Sequence, residues 1–501
     1  MKVPMVAAVL VLLSEGAVAA PQSASRKCCN VLSNTRSLRG KVFGKDTAPY
    51  DTRLATYYSA NSALEPWCMV LPETASEVSS VVNALTTNDC PFGIRSGAHA
   101  IWAGSNAIKD GVTIDLGYIN DTTFDEQTRV VKIGPGSTWG NVFLALDPYG
   151  VTAVGGRVSV VGVGGFTTGG GYSFHSARRG FACDDVANFE VVLADGSIVN
   201  ANANQRADLF RALKGGSGNL GIVTRIDQRV VEGNKIWASS QTYNMTEREA
   251  VFDAYHSFVD YLNDHPDEDA TQGIVFYIYS PGGYRIVTSF SNIDSNPEPP
   301  ALAEFRTVET ATAFGGVDLV SRLTVGSTGP SQMGIFTTWF VGMVSLDRHV
   351  MDLINEAQIE YVEKMKAAVP GANFTLLLQF QPVTRTMVSH AAASGGNVLG
   401  LEAVVADGPG NMWHIQFTVD SLEEQEQLQP LAIELADVFN RIADDNGAQK
   451  NWDFLNYANG NQDPITKYGA ENVAFLKTVS AKYDRQQVFQ KLRKTGFRLP
   501  A

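Results

Sequence analysis

The chain lacks the features that mark several large classes of protein. Its 39 Lys and Arg stand against 52 Asp and Glu, a formal net charge of −13, and no run of basic residues interrupts that acidic composition. A surface that follows phosphates needs clustered positive charge, so we expect no nucleic-acid partner. No stretch of about 18 or more apolar residues is present, so we expect no membrane-spanning helix.

Several catalytic motifs are absent as well. The seven histidines show no H-E-x-x-H or other metal-ligand spacing, and the sequence has neither a Walker A lysine motif nor a G-x-S-x-G elbow. "GSGNLG" at residues 216–221 matches G-x-G-x-x-G, but it follows a predicted helix and precedes a predicted strand, the reverse of the order in a dinucleotide fold. We therefore expect no metal, no serine-hydrolase chemistry and no Rossmann site.

The N-terminal segment reads as a leader. Residues 1–20 carry Lys2, a short apolar run and the small residues Ala17-Val18-Ala19, which is typical of a cleaved signal peptide. We expect a soluble protein that is secreted or held in the lumen of the secretory pathway. Sequons at Asn120, Asn244 and Asn373 agree with that route, although the triplet is common by chance.

Cysteine is scarce, with five residues in 501. An oxidising compartment favours disulfides, and adjacent Cys28 and Cys29 cannot readily bridge each other. We expect them to pair with Cys68 and Cys90 in an order that the sequence leaves open, with Cys183 as the free thiol. The alternative is a set of buried reduced cysteines.

The hydrophobic pattern predicts short strands and helices in alternation up to about residue 233. Thr74 and Glu77 have capping-box spacing before an amphipathic helix, and Asp195-Gly196 predicts a hairpin turn. From about Asn234, longer helical patterns alternate with aromatic strands. The length also favours two domains, and we place a boundary at this change of character.

Glycine is abundant and unevenly distributed along the chain. The 46 glycines cluster between Gly93 and Gly221, in stretches such as "GPGSTWG" and "GGRVSVVGVGGFTTGGGYSF". Glycine lets backbone N–H groups approach a ligand closely, and such loops cradle phosphates. Tight turns in a compact fold are the alternative for any one cluster.

Four stretches in order resemble the berberine-bridge-enzyme-like flavoproteins of the vanillyl-alcohol-oxidase type: "IRSGAHAIWAGSN", "VGVGGFTTGGGYSF" followed by "GFACDDV", "NYANGNQDP" and "KYDRQQVFQ". The resemblance implies a secreted, fungal-type member with an α+β fold and a PCMH-type FAD-binding domain in two parts. We expect residues 21–233 and 451–501 to form that domain. Residues 234–450 then form an inserted α/β substrate domain whose antiparallel sheet covers the flavin.

The resemblance implies FAD joined covalently through the imidazole of His99 to the 8α carbon of the flavin. A tether suits a secreted protein, which would lose a dissociable cofactor. The other implied cofactor residues are Arg95, Ser96, Gly97, Ala98, Ala100, Ser105, Gly162, Gly164, Gly165, Thr168, Gly169, Gly170, Gly221, Ile222, Val223, Asn456 and Tyr457.

Two positions depart from the family pattern. Ala98 replaces a glycine of the histidine loop, which costs roughly 1 kcal/mol if the position needs positive φ. Val158 occupies the place where many relatives carry a second, cysteinyl attachment, so we expect a single covalent bond. Val161 matches a gate position, and valine there is the form associated with reaction with oxygen.

Tyr457 is the candidate catalytic base, by its resemblance to the tyrosine beside the flavin. A free tyrosine gives up its proton only near pH 10, so a nearby cation or hydrogen bond must assist it. In "NMWHIQFTVD", residues 412, 414, 416 and 418 share one strand face, which places His414 and Gln416 toward the substrate. Pro409 lies near the position of a catalytic glutamate in some relatives, so His414 and Gln416 take part of its role.

These residues predict an FAD-dependent oxidase that moves a hydride from a small aromatic or polycyclic metabolite to flavin N5. We expect O2 to reoxidise the flavin and yield H2O2. A carbohydrate oxidase is the alternative within redox chemistry. A flavoprotein cyclase with little net redox role is the alternative from another class, and a non-catalytic flavin-binding protein is a third.

Overall fold

The computed structural model describes residues 20–328 and 333–500. The predicted leader, Ala20 excepted, lies outside the described residues. The strands are β1 (Val42–Phe43), β2 (Cys68–Val70), β3 (Phe92–Arg95), β4 (Val112–Asp115), β5 (Thr122–Asp125), β6 (Val130–Ile133), β7 (Val151–Ala153), β8 (Val186–Val192), β9 (Ile198–Ala201), β10 (Ile222–Glu232), β11 (Lys235–Tyr243), β12 (Thr271–Ser280), β13 (Gly283–Asn292), β14 (Thr312–Leu319), β15 (Phe336–Ser345), β16 (Phe374–Val383), β17 (Gly410–Val419) and β18 (Gln449–Lys450).

The helices are α1 (Ala20–Asn34), α2 (Ala48–Leu54), α3 (Ala75–Thr87), α4 (Trp139–Leu146), α5 (Val163–Thr168), α6 (Ser176–Arg179), α7 (Ala207–Leu213), α8 (Arg248–Asp264), α9 (Val320–Thr328), α10 (Arg348–Ala368), α11 (Arg385–Ala393), α12 (Leu401–Val404), α13 (Leu422–Asp445), α14 (Ala470–Tyr483) and α15 (Val488–Lys491). The fold is α+β, as the resemblance implied.

The first sheet has the order β1-β2-β4-β3, with β4 parallel to both of its neighbours. The sequence of β4 alternates apolar and polar residues, which is typical of a half-buried strand. Thr113 and Asp115 are nevertheless as buried as Val112 and Ile114. A central parallel strand is covered on both faces, which accounts for the difference. Helix α3 packs beside this sheet, and the Thr74 side chain caps it by accepting a hydrogen bond from the Glu77 amide, as predicted.

The second sheet has the order β5-β6-β10-β8-β9, and β7 pairs with the far end of β10. The predicted hairpin joins β8 to β9, with Gly196 at φ +77°. The glycine-rich segments leave the ends of these strands, and "GSGNLG" lies between α7 and β10 as expected.

The third sheet is antiparallel and runs β14-β11-β13-β12-β16-β17-β15-β18. Helices α8, α10 and α13 supply apolar side chains to a core on one of its faces, which includes Trp413, Ile415 and Phe417 from β17. The opposite face of β17 is turned toward the glycine loops. Between β10 of the second sheet and β11 of the third there are only two residues, Gly233 and Asn234.

The C-terminal segment returns to the first sheet. The Phe92 amide donates to the Leu492 carbonyl at 2.9 Å, and the Lys494 amide donates to the Phe92 carbonyl at 2.9 Å. The last residues therefore extend the edge of the sheet at β3, next to the histidine loop. No helix in the described ranges is long and apolar enough to cross a bilayer.

Two disulfides join α1 to the first sheet and the loop beside it. Cys28 pairs with Cys90 and Cys29 with Cys68, which resolves the order that the sequence left open, and Cys183 is a buried free thiol. Asn120, Asn244 and Asn373 are all exposed, and their glycosylation stays a prediction.

Removal of the Cys28–Cys90 bridge should destabilise the protein strongly. The bridge closes a loop of 62 residues, and the chain-entropy cost of such a loop in the unfolded state is about 4 kcal/mol. We expect Cys28→Ala with Cys90→Ala to lower the free energy of unfolding in guanidinium by an amount of that order. Cys183→Ala is the matched control. A double variant that loses no more stability than this control would contradict the prediction.

Candidate active site

A cavity of about 1340 Å³ lies between the glycine loops and the open face of the third sheet. The predicted site residues that line it are Ser96, Gly97, Ala98, His99, Ala100, Ser105, Val161, Gly162, Gly164, Gly165, Thr168, Gly221, Ile222, Val223, His414, Gln416, Asn456 and Tyr457. Segments more than 300 residues apart in the chain thus meet around one space, which is large enough for a dinucleotide cofactor and a small substrate.

Two glycines hold the glycine loops together. A Cβ atom on Gly97 would lie 2.2 Å from the Cα atom of Gly162, and a Cβ atom on Gly162 would lie 2.3 Å from that of Gly97. Side chains other than hydrogen are therefore excluded at both positions. Gly165, by contrast, has nothing within 4 Å of the corresponding position and faces the cavity. This is a cradle in which backbone can approach a ligand.

His99 lines the cavity. Its ring stacks on Tyr58 with centroids 4.0 Å apart, and Trp339 approaches edge-on at 6.0 Å. Burial lowers the pKa of His99 to about 4, so the imidazole is neutral at neutral pH. Its Nδ1 has no hydrogen-bond partner among the described residues. A neutral ring with a free nitrogen fits attachment to an electrophilic carbon.

Ala98 has φ +55°, in the left-handed region that the family's glycine suits. The alanine is 4% exposed, and its methyl group packs with Tyr57 and Ala107. The suspected strain is therefore present, and a small apolar contact offsets part of it. The carbonyl of Ala98 also accepts a hydrogen bond from the Tyr58 amide at 3.1 Å, which links the histidine loop to the residue that stacks on His99.

Three predicted cofactor residues do not line the cavity. Arg95 ends strand β3 with its side chain on the opposite side, where it pairs with Asp115 at 3.1 Å and donates to the Arg53 carbonyl at 2.6 Å. Gly169 approaches the Asn456 side chain, and Gly170, at φ +119°, approaches Phe454. These residues shape the loops from outside the cavity lining, and their contact with the cofactor stays a prediction.

The polar face of β17 meets the cavity as predicted. His414 is 4% exposed, stacks on Tyr457 with centroids 4.6 Å apart, and has no hydrogen-bond partner at either ring nitrogen among the described residues. Burial lowers the pKa of His414 to about 3, so this ring is also neutral. Trp339, on the neighbouring strand β15, contacts His414 edge-on at 5.2 Å.

Tyr457 receives the cationic partner that a catalytic tyrosine needs. Nη2 of Arg157 donates to the Tyr457 hydroxyl oxygen and to Oε1 of Gln381, each at 3.0 Å. Positive charge therefore lies next to the oxygen that would carry the negative charge of a phenolate.

Asn456 fastens the C-terminal segment to the glycine loops. Its amide nitrogen donates to the Gly165 carbonyl at 3.2 Å, and its amide oxygen accepts from the Gly171 amide at 3.2 Å. Nδ2 of Asn459 donates to the Trp339 carbonyl at 3.0 Å. The "NYAN" stretch thus binds the glycine loops with its first asparagine and the third sheet with its last, and Tyr457 is held between them.

Sequence reasoning missed three residues that shape the site: Tyr58, Arg157 and Trp339. Arg157 lies in the glycine cluster that begins "GGRVSVV". An arginine directly after two glycines could have been recognised there as a candidate ligand-binding residue. Tyr58 and Trp339 lie outside every motif, and only the fold brings them to His99.

The glycine cradle and the large adjoining cavity fit a flavin dinucleotide cofactor. In agreement with that, residues 66–202 match the family model described as "FAD binding domain". The FAD-dependent monooxygenase drtC of Aspergillus calidoustus is 34% identical over 94% of this chain and 90% of its own. The chain belongs to the same family of FAD-dependent oxidoreductases as this fungal relative.

Solved structures agree in fold. The berberine-bridge-enzyme-like protein 1 of Physcomitrella patens has a TM-score of 0.73 at 17% identity, with 95% of this chain and 99% of that chain covered. A chitooligosaccharide oxidase has a TM-score of 0.70 at 17% identity, with coverage of 94% and 99%. At these identities the likeness concerns the fold alone.

Ala98→Gly should be close to neutral for stability. Relief of left-handed strain gains about 1–2 kcal/mol, whereas greater freedom of the unfolded chain costs about 0.4–1 and loss of a buried methyl about 0.8. The buried Ala107, whose φ is not positive, is the control, because Ala107→Gly gains no strain relief and should cost about 1–2 kcal/mol. Urea unfolding measures both. Equal losses in the two variants would show that Ala98 is unstrained.

Proposed function

We propose that the protein is an FAD-dependent oxidase that dehydrogenates a small aromatic or polycyclic metabolite and passes the electrons to O2, with H2O2 as the second product. One observation carries the proposal: a single cavity joins the neutral His99 in a glycine cradle to a wall of aromatic and polar side chains. When bound, FAD supplies the hydride acceptor and the route of electrons to oxygen.

His99 is the proposed single attachment point. Its unpartnered Nδ1 and its neutral state favour bond formation. Val158 lines the cavity but offers no thiol, and Cys183 is buried away from the lining residues. The aromatic rings of Tyr58 and Trp339 restrict the rotation of the imidazole, so the ring is held ready for the reaction.

Tyr457 is the proposed proton acceptor. Arg157 donates to its hydroxyl oxygen at 3.0 Å, which places a positive charge beside the atom that would accept the proton. His414 and Gln416 then bind the polar groups of the substrate, since neutral His414 offers both a donor and an acceptor nitrogen. Val161 lines the cavity beside Gly162, in agreement with its proposed role as an oxygen gate.

Monooxygenation is the second candidate, and the name of the Aspergillus calidoustus relative favours it. Both reactions consume O2, but only the monooxygenase transfers an oxygen atom to the product. The carbohydrate-oxidase alternative is supported only by the likeness in fold to the chitooligosaccharide oxidase and by the polar side chains that β17 presents to the cavity. A cyclase would consume little O2.

We also propose that the protein follows the secretory pathway, in line with its two disulfides.

The covalent bond can be tested without a substrate. After denaturation in acid, flavin absorbance should stay with the wild-type polypeptide, and peptide mapping should locate it at His99 alone. His99→Ala should release the flavin. His390→Ala is the control, because Nε2 of that ring donates to the Ala177 carbonyl at 2.8 Å, away from the cavity, and the variant should leave the bond intact. Flavin that washes free from the wild type would contradict the tether.

The fate of oxygen separates the candidate reactions. With a screened aromatic substrate under ¹⁸O2, the oxidase should form one H2O2 per substrate consumed and leave the product free of ¹⁸O. Tyr457→Phe should slow the reduction of the flavin by the substrate by about 100-fold or more, as expected for loss of a general base. ¹⁸O in the product would establish the monooxygenase, and product without peroxide or ¹⁸O would favour the cyclase.

A further inference from the structure

The cavity contains a cation, Arg157, that has no anionic partner among the described residues. Arg157 is half-buried and lines the cavity. Its hydrogen bonds to the described residues both leave from Nη2 and end on the amide of Gln381 and the hydroxyl of Tyr457, neither of which is a carboxylate. A guanidinium has five N–H donors, so the remaining ones are available to a ligand.

The other charges that line the cavity are accounted for. Asp318 is the one carboxylate of the described lining, and it pairs with Arg322 at 3.3 Å near the exposed rim. Arg493 is 2% exposed, and its donors are taken by Oδ1 of Asn219 and by backbone carbonyls, including that of Phe497 at 3.0 Å. Arg493 therefore has its donors occupied, whereas Arg157 has donors left for a ligand and lies beside Tyr457.

The position of this charge is held rigidly. The guanidinium carbon lies 4.6 Å from the ring centroid of Tyr172. The Tyr172 hydroxyl is in turn fixed by the Pro382 carbonyl at 3.0 Å and by Gln272 at 2.8 Å. A half-buried cation that is preorganised in this way suits an oxygen whose negative charge develops during a reaction.

We infer that Arg157 is the oxyanion-binding residue of the substrate site and that the substrate is an aromatic ketone with an acidic C–H next to its carbonyl group. Tyr457, as the phenolate, takes the proton from that carbon. The C–H bonding pair becomes the C=C bond of an enolate, and the carbonyl π pair moves to the oxygen, which Arg157 binds. The inference rests on the proposed function in that it uses Tyr457 as the base.

A ketone fits better than an alcohol because Arg157 can only donate hydrogen bonds. A carbonyl oxygen is an acceptor only, whereas a hydroxyl also presents a hydrogen. The rings of Tyr58, Trp339 and Tyr457 line the same space and suit a flat conjugated ligand. A preformed aromatic carboxylate is the competing source of negative charge, and the experiment below separates the two.

The test measures proton exchange alone. The holoenzyme, with its flavin reduced under nitrogen so that no oxidation can occur, is incubated with 1-tetralone in D2O. Proton NMR then follows the loss of signal from the methylene next to the carbonyl. We expect enzyme-dependent exchange that falls by about 100-fold in Arg157→Gln and is lost in Tyr457→Phe. Arg322→Gln, another arginine of the cavity, should exchange at the wild-type rate.

Arg157→Lys provides a second variant in case the glutamine variant does not fold. It retains the charge without the planar set of donors, so exchange should be intermediate. Absence of exchange in the wild type, or undiminished exchange in a folded Arg157→Gln, would overturn the inference. So would 1-naphthoate binding that depends on Arg157 and exceeds that of 1-tetralone in calorimetry, without exchange. Failure of the oxidase proposal would show separately, as absence of peroxide.

Discussion

The contact between Gly97 and Gly162 is the constraint on which the site depends. Their backbones are so close that a Cβ atom on either would overlap the other's Cα atom. One glycine belongs to the loop after β3 and the other immediately precedes α5, so the contact holds these two glycine loops at a fixed distance. His99 follows two residues after the first glycine and Val161 precedes the second. The positions of the proposed attachment residue and of the proposed gate therefore depend on the same steric contact.

The opposite wall depends on hydrogen bonds rather than on close backbone contact. Asn456 binds the glycine loops, while Asn459 binds the Trp339 carbonyl on the third sheet. The C-terminal segment thus connects the glycine loops to the third sheet. Because Tyr457 lies between the two asparagines, its ring contacts His414 and its hydroxyl meets Arg157. A shift of either asparagine would move the proposed base.

Local signals predicted much of this architecture because each depends on neighbours in sequence. The cap at Thr74, the turn at Gly196 and the alternating faces of β17 are of this kind. Arg95 shows where such reasoning ends: it belongs to the motif, but strand alternation turns its side chain away from the loop it precedes. Arg157 meets Tyr457 across 300 residues, and no local pattern encodes that contact.

Burial and charge divide the proposed chemistry between the two walls. Desolvation keeps His99 and His414 neutral, so neither ring contributes positive charge near pH 7. In a protein of net charge −13, the field at the reacting atoms must then come from a specific cation. In the proposed reaction Arg157 is that cation, and its hydrogen bond to Tyr457 would couple the acceptance of a proton to the stabilisation of negative charge on a neighbouring atom. The neutral His99, as the proposed attachment point, and the charged Arg157 are therefore complementary parts of one site.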